Sequence, residues 1–447
     1  MKRILSLFLS FFLICTFFIS NISTSFANST PQITGQYAVL MDYETGKILY
    51  EKNSSQKLYP ASTTKVWTAY IVLKYASDLN EVIQIKDLPA IEGSSMYLKN
   101  GESFTIKQLL DALLVHSAND AAYVLALHIG GSIENFCDMM NKEAKEIGAK
   151  NTHFNNPHGL PDENHYTTAY DMAIMTRQAM SNKVFRNIVK TKSIKYEPSE
   201  AYPYYRHFTN SNKFLTSNEQ INYKGQLIPI KYDIVDGIKT GTTDAAGKCL
   251  LSSAVKDNMR LICAVFKSIG NDVYVDSRTL LDYGFDNYYT HTIINKDEYI
   301  NNKNILFSKQ KKLEYAPEYS YKQVLPKGTN TSDYTTNIVL NRIKLPIKQG
   351  DTVGYLEVIN DGKVEHSIDL IAQNDVNSIF GFITENKIVI QRVSQELTKK
   401  AKEKKVDTIT EMKKVRITEA IKIAIVNMDD TMYYLKAFSS NDMNGLE

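Results

Sequence analysis

The first hydrophobic feature of the chain is an apolar run from Ile4 to about Ile19, preceded by Lys2 and Arg3 and followed by Ser25-Phe26-Ala27. A basic start, an apolar centre and small residues at a cut point describe a secretory signal peptide of residues 1–27, cleaved before Asn28. A retained membrane helix is the alternative, and either exports the rest of the chain. The pattern then alternates: Gln36–Asp42 and Lys47–Tyr50 flank a turn containing Gly46, which predicts a β-hairpin. From Pro60 to about Ala76 the apolar spacing becomes helical. Further helices are predicted over Ile106–Val115, from Asp120 to Gly130-Gly131, and over the amphipathic Ile133–Ile147, stopped by Gly148. Cys249–Val255 and Arg260–Phe266 flank the polar turn Lys256-Asp257-Asn258 as an antiparallel pair, and a last helix is predicted over Val273–Tyr283. Strands at both ends of residues 28–290 thus enclose a block of helices. The implied fold class is α/β (α+β), one antiparallel sheet built from both ends of the domain and flanked by helices.

Beyond Thr290 short alternating strands take over, and Gly354–Ile359 and Lys363–Ile371 around Asn360-Asp361-Gly362 give a strong hairpin signal. Residues 291–385 are therefore expected to form a small β-rich domain. Residues 386–447 are lysine-rich around Lys399–Lys405 and have no long apolar run. They read either as an amphipathic segment lying on a membrane surface or as a solvated, charged tail.

Composition narrows the chemistry. With 447 residues, 43% hydrophobic and 23% charged, the chain has room for two or three domains with a large core. A net charge of +3 makes no electrostatic case for nucleic acid. Removal of residues 1–27, with Cys15, leaves Cys137, Cys249 and Cys263, enough for one disulfide at most. Cys249 and Cys263 lie on neighbouring predicted strands, so a bridge is compatible with the pattern, although buried free thiols are favoured. The cysteines and eight histidines show no metal-ligand spacing, and no metal or cofactor is expected.

The candidate chemistry starts at Ser62-Thr63-Thr64-Lys65, which opens the helix after Pro60-Ala61. There Ser62 sits at the positive end of the helix dipole, and Lys65 comes next on the same face one turn later. A serine hydroxyl needs a base, and lysine serves once burial or a neighbouring cation lowers its pKa. Alone the pattern is weak, because Ser54-x-x-Lys57, Ser253-x-x-Lys256 and Ser308-x-x-Lys311 also match. Ser117-Ala118-Asn119 falls between two helices, where Ser117 can relay a proton and the Asn119 amide can hold a substrate carbonyl. The same residue types also serve as ordinary helix caps. Lys239-Thr240-Gly241 occurs once. As an edge strand it offers an extended peptide β-type hydrogen bonds, with Lys239 as second cation and Thr240 as a hydroxyl for a carboxylate. Gly241 there removes a side chain where substrate approaches.

In this order, Ser-x-x-Lys, Ser-x-Asn and Lys-Thr-Gly resemble the signature of penicillin-binding proteins and class A β-lactamases. The chain resembles most the low-molecular-mass penicillin-binding proteins that are D-alanyl-D-alanine carboxypeptidases. The resemblance extends to Asn156–Leu160, His165–Asp171 and Asp236–Gly241 with Ala246-Gly247. It implies a transpeptidase-like catalytic domain with a small β domain after it. It also implies a Ser62 acyl-enzyme that releases terminal D-alanine from peptidoglycan stem peptides, with β-lactams as covalent inhibitors. The oxyanion hole would be the N–H groups of Ser62 and Thr242. Many relatives carry an arginine before the last helix that holds the substrate carboxylate; here the place falls on Val273. Carboxylate recognition would then rest on Lys239, Thr240 and Thr242. Two other readings stay open: a serine β-lactamase, disfavoured because no Glu-x-x-Leu-Asn element lies between Asn119 and His158 and because of the extra β domain, and a non-catalytic envelope-binding protein on the same fold.

Overall fold

The computed structural model describes residues 30–306 and 308–379. Residues 1–27 and 386–447, which the sequence pattern assigns to a signal peptide and a tail, lie outside the described residues. Two compact units are present. The first runs to His291 and takes back Lys322–Thr329; the second comprises Thr292–Tyr321 and continues from Asn330. The segment 322–329, which the sequence pattern left in the β-rich region, thus packs with the first unit. Its Val324 is fully buried and its carbonyl accepts a 3.0 Å bond from Lys47 Nζ.

In the first unit five strands form an antiparallel sheet: β1 (Tyr37–Asp42), β2 (Ile48–Lys52), β3 (Val235–Thr243), β4 (Gly247–Lys256) and β5 (Met259–Ser268), in the order β2-β1-β5-β4-β3. The N-terminal hairpin is therefore stitched to the C-terminal strands, with Val39 opposite Ala264. β3 is an edge strand. Because successive side chains point to opposite faces, the sheet has two cores. Val39, Met41, Leu251, Ile262 and Ala264 join the helical side, whereas Ala38, Leu40, Leu250, Cys263 and Val265 join the other.

The helical side carries α1 (Thr64–Tyr75), α2 (Ile106–Asp111), α3 (Asn119–Gly130), α4 (Ile133–Glu146), α5 (Ala169–Ser181) and α6 (Lys183–Val189). Trp67 of α1 is fully buried, and its indole N–H is satisfied by the Met140 carbonyl at 2.9 Å. Local signals explain the helix starts: Thr105 and Gln108 form a capping box on α2, and the Ser132 and Thr168 side chains cap α4 and α5. The other face packs on α7 (Lys213–Thr216) and α8 (Asp272–Asn287).

The sheet decides two points that the pattern left open. Cys249 belongs to the helical-side core and Cys263 to the opposite one, so the sheet separates the thiols and both are free. Val273 lies in the second core, 4% exposed, and packs against the sheet under α8. It is a packing residue.

The second unit is a five-stranded sheet of β6 (Asn301–Asn304), β7 (Lys312–Pro317), β8 (Thr335–Leu340), β9 (Thr352–Asn360) and β10 (Lys363–Ala372), ordered β6-β7-β10-β9-β8. Asn360 pairs with Lys363, so the turn is the two residues Asp361-Gly362, both at positive φ, as a hairpin of this kind requires. Its core is Leu313, Leu356, Val358, Ile368 and Leu370. Among the described residues, no helix is long and apolar enough to cross a membrane.

Candidate active site

Ser62 sits in a single 3-10 turn, Ala61–Thr63, that feeds directly into α1. At the first turn of a helix its N–H has no intrahelical acceptor, so this donor is available. Ala61 just before it has φ +48°, an uncommon backbone state for a residue with a β-carbon. Two close approaches hold that state. A β-carbon on Gly159, itself at φ +88°, would lie 1.8 Å from the Ala61 carbonyl oxygen. One on Gly241 would lie 3.1 Å from both Pro60 O and Ser62 N. Thus the 156–160 segment presses on one side of the nucleophile turn and β3 on the other, and only glycine leaves room for both.

Lys65 is fully buried; its Nζ donates to Ser62 Oγ at 2.9 Å and to the His158 carbonyl at 2.7 Å. Burial above all, then the charge of Lys239, holds its pKa well below the ordinary lysine value, against an opposing pull from Asp120. Lys239, also fully buried, is brought down by burial to about 7. Burial and the neighbouring cation both favour the neutral Lys65 amine, which is what a lysine base requires. Once Lys65 is neutral the bond reverses, and the hydroxyl donates to the amine.

The second motif follows an irregular stretch of backbone. α2 widens into a π-type turn, Ala112–His116, and Ser117 then adopts the left-handed conformation with φ +70°. Ala118 caps α3 without any side-chain bond, so Ser117 and Asn119 are not the cap. Ser117 is 6% exposed. Asn119 is buried. Its Nδ2 donates to the Glu92 carbonyl at 2.6 Å, while Oδ1 is buried without a partner. The amide nitrogen carries a second N–H beyond the one given to Glu92. Asp120 beside it receives Ser95 Oγ at 2.6 Å and the Met96 and Leu98 N–H groups at 3.0 Å each, pinning the 92–98 loop over the site.

On β3, Lys239 and Gly241 face the helical side, because their partners Leu251 and Cys249 belong to that core. Thr240, half-buried, exchanges a 2.7 Å bond with Ser211 Oγ. Thr242 is exposed at the edge, where alternate backbone groups have no strand partner. All eight residues singled out in the sequence come from three elements, the α1 start, the turn that ends at Ser117, and β3; β3 packs on the Ser62 turn, and the 112–116 turn packs on α1 and β3.

Several supports were not visible in the motifs. His158 contributes through its carbonyl, and burial drives its imidazole pKa down to about 3. His165 accepts the Asn155 N–H on Nδ1 at 3.1 Å, so Nε2 carries the proton and donates to Thr64 Oγ1 at 2.9 Å. Burial keeps this ring neutral, with a pKa of about 4. Asp120 and Ser211 carried no local signal beyond adjacency to a motif and to a helix start.

Known proteins resemble this chain over most of its length. A family model described as D-alanyl-D-alanine carboxypeptidase matches residues 24–269, and the Penicillin-binding protein 5 C-terminal domain matches residues 288–378. The chain belongs to the D-alanyl-D-alanine carboxypeptidase family. This carboxypeptidase is 34% identical to D-alanyl-D-alanine carboxypeptidase DacF of Bacillus subtilis, over 86% of this chain and 97% of the relative. It is 32% identical to DacA of Haemophilus influenzae, over 83% and 93%. Among solved structures, penicillin binding protein 5 from Haemophilus influenzae matches with a TM-score of 0.61 at 31% identity, covering 78% of this chain and 99% of that one. DacD from Francisella tularensis matches at 0.57 and 29%, covering 78% and 95%. The carboxypeptidase is thus a serine peptidase with a transpeptidase-like catalytic domain and a C-terminal β domain.

Proposed function

We propose that the carboxypeptidase acts through an acyl-enzyme on Ser62. Neutral Lys65 takes the hydroxyl proton as Ser62 Oγ bonds to the carbonyl carbon of the penultimate D-alanine. The oxyanion that forms is held by the N–H groups of Ser62 and Thr242. The C–N bond breaks as the proton passes from Lys65 through Ser117 to the departing D-alanine nitrogen, leaving an ester. Lys65 then draws a proton from water, which hydrolyses the ester and restores the serine. The leaving carboxylate lies at Thr240, steadied by Ser211, with Lys239 supplying charge from behind. The substrates are peptidoglycan stem peptides, and β-lactams acylate Ser62 as mimics of them, in keeping with a solved relative that is a penicillin-binding protein. Residues 1–27 would export the enzyme to reach that substrate.

The observation that carries this reading is a fully buried lysine amine 2.9 Å from a serine hydroxyl on a helix start. Its test is release of free D-alanine from an acyl-D-alanyl-D-alanine peptide. Wild-type protein releases it, Ser62→Ala does not, and Lys65→Ala is slower by roughly 100- to 10,000-fold. Undiminished release by Ser62→Ala would overturn the assignment.

A further inference from the structure

The loop that Asp120 pins carries a side chain the reaction leaves unused. One end of the loop touches the site. The Ser94 carbonyl accepts the Asn119 N–H at 2.7 Å, and a β-carbon on Gly93 would lie 2.7 Å from Asn119 Nδ2 and 3.8 Å from Leu160 Cδ2. Further along, Tyr97 is held at φ +61°, an uncommon backbone state for a residue with a β-carbon, and is 60% exposed.

Arg206 ties this loop to a second segment that bears tyrosines. Besides its buried ion pair with Glu102, it donates from Nη2 to the Tyr97 carbonyl at 2.8 Å, and its guanidinium lies 3.8 Å from the centre of the Tyr202 ring. Tyr202 meets Tyr204 edge to face, with ring centres 5.7 Å apart, and Tyr204 is 68% exposed. Ser199 Oγ donates to Glu102 Oε1 at 2.8 Å and so anchors the same segment to the same pair. A desolvated ion pair thus organises a surface whose two most exposed rings, Tyr97 and Tyr204, belong to none of the hydrophobic cores.

The character of this surface narrows its partner. Within residues 92–98 and 193–209 the exposed large apolar side chains are all tyrosines. A lipid or protein surface would call for aliphatic groups beside them. Both cations of residues 193–206 are already paired, Lys195 with Glu197 and Arg206 with Glu102, which leaves no free charge there for a polyanion. Flat rings with hydroxyls at the rim suit a neutral partner built the same way, with an apolar face and a polar edge.

We propose that Tyr97 and Tyr204 form a platform for the amino-sugar chain that carries the stem peptide, stacking on the faces of its N-acetylated pyranose rings. This deepens the acyl-enzyme reading and rests on it. The reach is suitable. Tyr97 is four residues from Gly93 and so within about 14 Å of it, and four stem-peptide residues between the attacked carbonyl and the sugar span about 13 Å when extended.

The test compares two substrates with the same peptide ending in acyl-D-alanyl-D-alanine, one free and one carried on an N-acetylglucosaminyl-N-acetylmuramyl disaccharide. The expected kcat/KM for the disaccharide-peptide exceeds that for the free peptide by about tenfold, carried by KM with kcat unchanged. The double variant Tyr97→Ala, Tyr204→Ala removes that advantage and leaves turnover of the free peptide unchanged. Tyr97→Phe, Tyr204→Phe keeps the rings and keeps the advantage. Equal kcat/KM for the two substrates in the wild type, an advantage that survives both alanines, or equal losses on both substrates would overturn the platform alone. Absence of D-alanine release from either substrate would overturn the acyl-enzyme reading and the platform with it.

Discussion

Lys65 can act as a base only because of its surroundings. Its ammonium is penalised first by burial and then by Lys239, so removing that second charge raises its pKa. The acid limb of kcat/KM should therefore move to higher pH in Lys239→Gln, measured as D-alanine release across pH. The two lysines titrate as a coupled pair in the wild type, and the limb belongs to both. A limb that stayed in place would mean that Lys239 does not tune the base. Gly159 is the other decisive residue. A methyl group there would meet the Ala61 carbonyl at 1.8 Å, and φ +88° disfavours any side chain. Gly159→Ala should displace the Ser62 turn and slow acylation by about 100-fold, the usual effect of an ångström-scale misplacement. Labelled penicillin would report the rate, and circular dichroism would show that the chain still folds.

Elements tie stability to the same features. β3 carries a lysine whose cation is disfavoured when folded, so the sign of its contribution is opposite to that of a paired lysine. Its folded pKa is about 7 against an ordinary 10.5. Below pH 7 both states bind the proton and the full cost of burial is present; between 7 and 10.5 the unfolded chain binds more protons, and stability recovers as pH rises. Lys239→Met should consequently raise the melting temperature most at and below neutral pH, with a gain that shrinks towards about pH 10. β4 and β5 set the state of the cysteines. Cys249 and Cys263 face opposite cores, so alkylation of denatured residues 28–447 without reductant should label three thiols.

At the scale of the molecule, long-range contacts close the catalytic unit. Arg206 and Glu102 form a fully desolvated ion pair at 2.7 Å, and Arg206 Nη2 also donates to the Tyr97 carbonyl in the loop over the site. Arg206→Met leaves a buried carboxylate unpaired and should cost roughly 3–5 kcal/mol, measurable by denaturant unfolding. Residues 322–329 return to the first unit and bury Val324 in its core. A chain cut after His291 should lose about 1.5–3 kcal/mol from that side chain alone and melt at a lower temperature than the full chain.

Much of this was legible from local pattern. The helices around Trp67, Leu125 and Phe136, the strand pair Cys249–Phe266 and the Asp361-Gly362 hairpin all arise from hydrophobic period and turn residues, because each is a short-range property. The order of the three motifs identified the family, and Ser62 with Lys65 could be paired because one helical turn joins them. What pattern could not supply was proximity across the fold. Ser211 and the His158 carbonyl reach the site from elements distant in sequence from the motifs, and single polar residues carry no period. The direction of the Asn119 amide depends on the Glu92 carbonyl, 27 residues away. Val273 stands where the resemblance implies an arginine in many relatives, and only the fold shows it packed into the second core. Sequence alone determined the family and singled out Ser62 and Lys65 as the candidate pair. Tertiary structure decided their protonation, since burial and a neighbouring cation, which set the pKa of Lys65, exist only once the chain has folded.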